Sequence, residues 1–270
     1  MAHRASQSLI VNTSTIELID SHCHLDFSEF DSNRGELITS CQQQGIISLI
    51  VPGVSAQQSL SLLNFKAQAP SFVNIAFGLH PYFLTQTADA DMQVLTQLAH
   101  QYNKQLCAIG ECGIDRAQPN LELQQRIFIA HIALANDLKL PLIVHHRQSH
   151  DLIQAAFKQC PPKHGGVIHA FSGSKEIANY YVGFGFKLGI GGIISYERSQ
   201  KTRETIATIA LDSLLIETDA PSMPLFGAQG QPNSPLALID VFTHLVSLRM
   251  EPAAVIAAQL RQSCNDIFRI

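Results

Sequence analysis

Several features that define other classes of protein are missing from this chain. Its six cysteines form no CxxC pair and no closely spaced framework, which argues against a disulfide-stabilised scaffold and for reduced thiols in a reducing compartment. No apolar run approaches the roughly 18 residues of a membrane helix, and the N-terminal segment contains no apolar stretch long enough for a signal peptide. We therefore expect a cytoplasmic protein that does not associate with membranes.

Charge is scarce as well. Charged residues make up 15% of the 270 residues, and the formal net charge is −4. Non-specific binding to duplex nucleic acid usually needs a basic surface, so we expect no stable binding to duplex DNA or RNA. The balance still permits a small phosphodiester or a DNA strand end that is held through metal ions. We expect a monomer or a weak oligomer.

Short, β-branched apolar runs recur along the chain, and Gly, Pro or a polar cluster closes each of them. Runs of this kind are typical of strands that are buried on both faces in a parallel sheet. They cover residues 16–20, 46–53, 72–81, 106–111, 140–146, 165–171, 186–192 and 213–219. Helix-like patterns lie between them, for example at 121–138 and 149–160, and two amphipathic segments follow the last run.

This alternation predicts an α/β fold, a TIM-type (β/α)8 barrel in a single domain. We expect the barrel to span residues 16–270, after a flexible N-terminal extension of residues 1–15. An open, doubly wound sheet is the alternative, but no GxGxxG motif follows the first predicted strand.

Histidines and carboxylates stand near the ends of most predicted strands. His22 and His24 follow the first strand in "DSHCHLD", and because they are two residues apart they point to the same side of an extended chain. Such a pair alone is a weak metal signal. The later strands end at His80, Glu111, His145, His169 and Asp219.

Barrel enzymes place their sites at the carboxyl ends of the strands, so we expect these side chains to meet at one mouth. Burying an imidazole or a carboxylate without a partner costs several kcal/mol of folding free energy, and divalent cations are the simplest partner that all of these groups can share. The set exceeds the ligands that one tetrahedral ion takes. We therefore expect a pair of divalent cations in each chain, and the sequence does not distinguish Zn, Mn, Mg or Fe.

The motifs that carry these residues resemble those of the TatD family of metal-dependent hydrolases. They read "DSHCHLD", "GLHP", "GECGID", "LPLIVHHR", "GVIHAFSGS" and "LLIETDAP", in family order and spacing, over nearly the whole chain. The resemblance implies that His22 and His24 bind a first ion, which Asp219 also contacts. It also implies a bridging carboxylate and a second ion. The bridge would be Glu111, and the ligands of the second ion would be His145 and His169.

The resemblance also implies what the site does. Asp219 would orient the attacking water and take its proton, and Glu111 would act with it as the second catalytic carboxylate. The reaction would be metal-assisted hydrolysis, with an exonuclease-like deoxyribonuclease or phosphodiesterase as the first interpretation. The alternative is hydrolysis of a small amide, ester or cyclic substrate. A barrel that only binds a metal or a partner is a third, non-enzymatic interpretation.

Three further residues are candidates for substrate binding. His80 is expected to hydrogen-bond the substrate, unless it only supports a turn. Arg147 follows the fifth strand, where its guanidinium would clamp a phosphate, unless it forms a plain surface ion pair. Arg198 lies after the seventh strand, where barrels often bind phosphate, unless its neighbours Lys201 and Arg203 only begin a solvated helix.

The chain departs from the family after the fourth strand. The family commonly continues with a pattern of the form GLDYYR, whereas this sequence reads "GECGIDRAQPN". We therefore expect an aromatic wall of the substrate pocket to be missing. The metal ligands are all present, so the expected difference from the family lies in the substrate pocket.

Overall fold

The computed structural model describes residues 16–270, and the expected extension of residues 1–15 lies outside the described residues. The strands are β1 (Leu18–Asp20), β2 (Ile46–Pro52), β3 (Val73–Phe77), β4 (Leu106–Asp115), β5 (Leu142–Arg147), β6 (Gly166–Ile168), β7 (Phe186–Ile190) and β8 (Leu214–Ile216). The helices are α1 (Arg34–Gln43), α2 (Ala56–Gln68), α3 (Ala88–Tyr102), α4 (Leu121–Leu138), α5 (His150–Gln159), α6 (Lys175–Gly183), α7 (Gln200–Thr208), α8 (Leu238–Leu248) and α9 (Ala253–Phe268).

The eight strands form one parallel sheet in which each strand pairs with the next one along the chain. Beyond the last pairing, the Ser21 N–H donates a hydrogen bond to the Ile216 carbonyl (3.0 Å), which links the end of β8 to the end of β1. A helix connects each pair of successive strands, as is usual for neighbouring parallel strands, which need a crossover connection. The expected (β/α)8 barrel is confirmed.

Most strand ends differ from the ranges that the sequence predicts, and three of the differences move a site candidate. β4 continues to Asp115, so Glu111 lies in the middle of a strand instead of at its end. β3 ends at Phe77 and β8 at Ile216, so His80 and Asp219 lie in the loops that follow. An apolar run shows which residues are buried, but it does not show where the backbone leaves the ladder of hydrogen bonds.

Apolar side chains fill the inside of the barrel on the amino-terminal side of the histidines. This inner cluster consists of Ile19, Ile50, Ala76, Cys107, Ala108, Ile143, Val167, Leu215, Cys264 and Phe268. In β1 and β5 its members precede the histidines along the strand, so the carboxyl ends of the strands are left for polar side chains. A larger cluster packs between the strands and the surrounding helices.

Two helices follow β8, as the sequence predicts. α9 packs against β1 and β8 and supplies Phe268 to the inner cluster. Within residues 16–270, no single helix is long and apolar enough to cross a membrane. The segments Pro235–Leu248 and Ala253–Phe268 meet the length and composition criteria only as a pair, which is bent by 117°.

A buried histidine on α4 supports the loop that carries His80. The Nε2 atom of His131 accepts a hydrogen bond from the Leu79 N–H (3.0 Å), and its Nδ1–H donates to the Ile127 carbonyl (2.8 Å). Burial lowers the pKa of His131 from 6.5 to about 4. The neutral ring is therefore the form that holds the loop, because a protonated Nε2 has no lone pair with which to accept the bond.

We expect His131 to make the fold less stable in acid. The unfolded chain binds the proton near pH 6.5 and the folded chain only near pH 4, so stabilisation that is present above pH 6.5 is lost as the pH falls. From about pH 7.5 to about pH 5 this amounts to about 2 kcal/mol of unfolding free energy, measurable by urea denaturation. His131→Gln keeps an acceptor but does not titrate, and should lose about 2 kcal/mol less over that interval. Equal losses in the two proteins would contradict the prediction.

Candidate metal centre

Four side-chain atoms converge at the carboxyl ends of the strands in a group that we call the first cluster. The Nε2 atoms of His22 and His24 lie 3.2 Å apart. The Oε2 atom of Glu111 is 3.0 and 3.4 Å from them, and the Oδ1 atom of Asp219 is 3.5 and 3.7 Å from them. Ligands bound at about 2.0–2.1 Å to a tetrahedral ion lie about 3.3–3.4 Å from one another. The spacing of these atoms therefore suits a single divalent ion.

The other oxygen of Glu111 belongs to a second cluster, which contains His80 and His145. Oε1 lies 2.9 Å from His145 Nδ1 and 3.2 Å from His80 Nε2, and these two nitrogens are 3.1 Å apart. The Nδ1 atom of His80 accepts a hydrogen bond from the Tyr82 N–H (3.1 Å), so this ring also supports its turn. The Glu111 carboxylate thus contacts both clusters, one with each oxygen.

The chemistry of these donors also fits cations. Glu111 is 1% exposed, and within the described residues its ion-pair partners are imidazoles, with no lysine or arginine among them. Burial raises the pKa of Glu111, whereas the imidazoles of His80, His22 and His145 lower it. Together the imidazoles outweigh burial, so the pKa of Glu111 lies well below its ordinary value. An ionised carboxylate between facing imidazole nitrogens offers lone pairs to an ion on either side.

His169 contacts the first cluster instead of joining His145. Its ring stacks on His22, with ring centroids 3.5 Å apart, and its Nε2 is 3.6 Å from the Oδ1 atom of Asp219. Its Nδ1 lies 2.8 Å from Oε1 of Glu217, which is an ion-pair distance without good hydrogen-bond alignment. Ligation of a second ion by His169 stays a prediction, and the imidazoles that lie beside Oε1 of Glu111 are those of His80 and His145.

Glu217 is a site residue that the sequence analysis missed. It is fully buried, and besides contacting His169 its Oε1 accepts a hydrogen bond from the Ala170 N–H (2.5 Å). A Cβ atom at Gly189 would lie 2.2 Å from Oε2 of Glu217, so a side chain at this position of β7 would displace the carboxylate. The available signal was its position two residues before Asp219 in "IETDAP", the same spacing that marks the HxH pair.

The two clusters open into a cavity of about 570 Å³. The backbone of several residues that line this cavity is strained. Asp219 has a φ of 56°, and Gln148, Ala170 and Met223 have φ values of 54°, 47° and 48°. All four residues line the cavity. Non-glycine residues rarely adopt this left-handed conformation, and such residues cluster at functional sites. The Asp219 N–H donates to the His22 carbonyl (2.9 Å), which connects this turn to the end of β1.

The two arginines predicted to bind substrate occupy different places. Arg147 lines the cavity, is 61% exposed, and has its Nη1 3.9 Å from Oδ2 of Asp115. The guanidinium of Arg198 instead lies over the ring of Tyr196, 4.9 Å from the ring centroid. The structure therefore brings Arg147 to the candidate site and leaves Arg198 outside the cavity lining.

The mouth of this (β/α)8 barrel brings imidazoles and carboxylates together at ion-binding distances. This combination of fold and site is that of a metal-dependent hydrolase. The sequence model of the TatD related DNases matches residues 19–269 of the chain. The chain belongs to the TatD family.

Relatives cover nearly the whole chain. It is 38% identical over 254 residues to the uncharacterized metal-dependent hydrolase YjjV of Escherichia coli K12, covering 93% of this chain and 98% of the relative. The crystal structure of E. coli YjjV, a TatD homolog, matches with a TM-score of 0.89 at 37% identity, covering 94% of this chain and 98% of that one. The 3'-5' ssDNA/RNA exonuclease TatD of Erwinia tasmaniensis is 30% identical over 261 residues, covering 94% of this chain and 100% of the relative.

The shared carboxylate predicts unequal metal loss from two variants. Glu111→Ala removes an oxygen from each cluster and should lower the content of both ions, whereas His145→Ala should lower the content of only about one. Elemental analysis of purified protein measures this, with His100→Ala as a control because His100 pairs with Asp137 on the surface. Equal loss of about one ion from both variants would show that Glu111 does not bridge.

Proposed function

We propose that the protein is a two-metal phosphodiesterase, a deoxyribonuclease that works from the ends of single strands. The observation that carries the proposal is the Glu111 carboxylate, whose two oxygens face different pairs of histidines. Sites with two bridged ions clamp the attacking and leaving oxygens of an in-line phosphodiester displacement. The relative named as an ssDNA/RNA exonuclease supports the choice of substrate.

In this proposal the residues of the two clusters hold one divalent ion each. The first ion would be held by His22, His24, Glu111 and Asp219, and the second by Glu111 and His145 with His169 or His80. Divalent ions held by these residues would lower the pKa of the attacking water and would neutralise the charge that develops on the scissile phosphate. Mixed imidazole and carboxylate donors suit Zn, Mn or Fe better than Mg.

In this proposal Asp219 acts as the general base. Its side chain is 13% exposed, toward the cavity, and its Oδ1 lies 3.5, 3.7 and 3.6 Å from the nearest nitrogens of His22, His24 and His169. Burial raises the pKa of Asp219, but the imidazoles, that of His169 above all, lower it below its ordinary value. The carboxylate is therefore ionised at neutral pH and can take a proton from the attacking water.

Asp219→Asn should separate catalysis from metal binding. The variant keeps the shape of the side chain and one oxygen but removes the base, so kcat should fall by at least about 100-fold. Metal content should fall much less, because His22, His24 and Glu111 remain. Both quantities are measured on one preparation with an oligonucleotide substrate. A variant that keeps its metal and a near-normal kcat would show that Asp219 is not the base.

Hydrolysis of a small amide, ester or cyclic substrate is the second candidate. The observation that favours it is the scarcity of positive charge, because Arg147 is the only lysine or arginine among the described residues that line the cavity. A barrel that only binds a metal fits less well. Asp219 reaches the cavity, whereas a structural metal site is usually closed and has no open position.

Arg147 provides the test between the two hydrolase candidates. If its guanidinium binds phosphate, Arg147→Ala should raise KM for a phosphodiester by about 10-fold or more and leave KM for an uncharged ester nearly unchanged. Binding of the phosphodiester should also weaken with added salt. Arg126→Ala serves as the control, since Arg126 pairs with Asp89 on the surface. Parallel losses on both substrates would favour the small-molecule candidate.

A further inference from the structure

Two aromatic side chains at the mouth of the cavity have no role in the metal centre. Tyr82 and Phe83 belong to the short 3-10 helix Pro81–Phe83, directly after His80. They are 60% and 47% exposed, their rings meet edge to face with centroids 5.1 Å apart, and both line the cavity. Large aromatic side chains that stay this exposed beside a site are typical of ligand-binding surfaces.

These rings are continuous with the two histidine clusters. The Phe83 ring lies 5.8 Å from the His80 ring, whose Nε2 is 3.2 Å from Glu111. On the other side Phe27 stacks on the ring of His24, with centroids 4.6 Å apart. The cavity therefore has aromatic walls within one ring of each cluster. These rings come from the loop after β3 and the loop after β1, and among the described residues the segment that follows β4 adds no aromatic side chain to the cavity lining.

Positive side-chain charge is sparse in the cavity lining. Arg147 is the only cationic side chain, apart from histidines, among the described residues that line the cavity. The protein as a whole carries a formal net charge of −4. Proteins that hold single-stranded nucleic acid combine positive charge along the backbone with aromatic rings on which the bases stack. This cavity has little of the first and offers the rings of Tyr82 and Phe83 for the second.

We propose that Tyr82 and Phe83 form a stacking platform for the nucleobase next to the scissile phosphate of a single strand. The proposal rests on the nuclease function proposed above and names how its substrate is recognised. Every base has a π-face, so the platform accepts all sequences. A base inside a duplex is already paired and stacked, so the platform selects unpaired ends.

Binding tests the platform separately from catalysis. Metal-loaded Asp219→Asn protein is titrated with two end-labelled strands of equal length, an oligothymidylate and a base-free oligomer of tetrahydrofuran phosphate. Adding Tyr82→Leu and Phe83→Leu together should raise Kd for the oligothymidylate by about 5- to 150-fold, the size of one stacked base. Kd for the base-free strand should change by less than about twofold.

Two controls separate stacking from general damage to the surface. Tyr82→Phe keeps the ring and should keep the affinity. Phe226→Leu removes a ring that is 68% exposed and packs on Tyr196 but does not line the cavity, and it should leave both Kd values unchanged. Equal weakening of both strands by the double substitution, or an equal effect of Phe226→Leu, would overturn the platform.

Cleavage by the metal-loaded wild-type protein then tests the function itself. Base-dependent binding without cleavage of the oligothymidylate would leave the platform standing and overturn the nuclease function. Cleavage with the same kcat/KM for both strands would leave the nuclease standing and overturn the platform. Neither binding nor cleavage would overturn both.

Discussion

The rest of the site depends on the contacts between the buried Glu111 carboxylate and the imidazoles around it. It is 1% exposed, and its oxygens contact imidazoles from β5 and from the chain after β1 and β3. An isolated carboxylate at this depth would cost about several kcal/mol, and only positive charge or strong hydrogen bonds offset that cost. The four histidines that contact Glu111 are therefore arranged around this one residue.

The barrel brings Glu111 inward by an unusual approach of its backbone. Although β3 lies between β2 and β4, the Glu111 N–H donates to the carbonyl of Gly53 at the end of β2 (2.9 Å). This hydrogen bond can form because the residue just after β3 is a glycine, Gly78, which leaves room for β4 to approach. A Cβ atom at Gly78 would lie 2.3 Å from the carbonyl carbon of Gly110 and would push β4 outward. The position of the carboxylate thus depends on the residues that make room for it as much as on its own strand.

The amino-acid sequence is sufficient to predict the architecture and to identify most of the candidates that meet at the mouth of the barrel. The apolar runs and the helical patterns between them predict the barrel, and the predicted helix 121–138 has the same bounds as α4. The site candidates could be found because all parallel strands of a barrel end at the same mouth. A polar residue that follows a buried apolar run is therefore expected at that mouth. Period and composition are local properties, and they are sufficient for these predictions.

The tertiary structure alone decided which side chains meet. His80 lies beside Glu111 and His145, whereas His169 lies against His22 and the unpredicted Glu217. Arg198 lies over a tyrosine outside the cavity lining, and aromatic rings from the loops after β1 and β3 line the cavity. These outcomes depend on loop paths and on contacts between residues far apart in the chain. The bond from Ser21 to Glu217, for instance, spans 196 residues. No local pattern encodes such a contact, because it exists only once the barrel has closed.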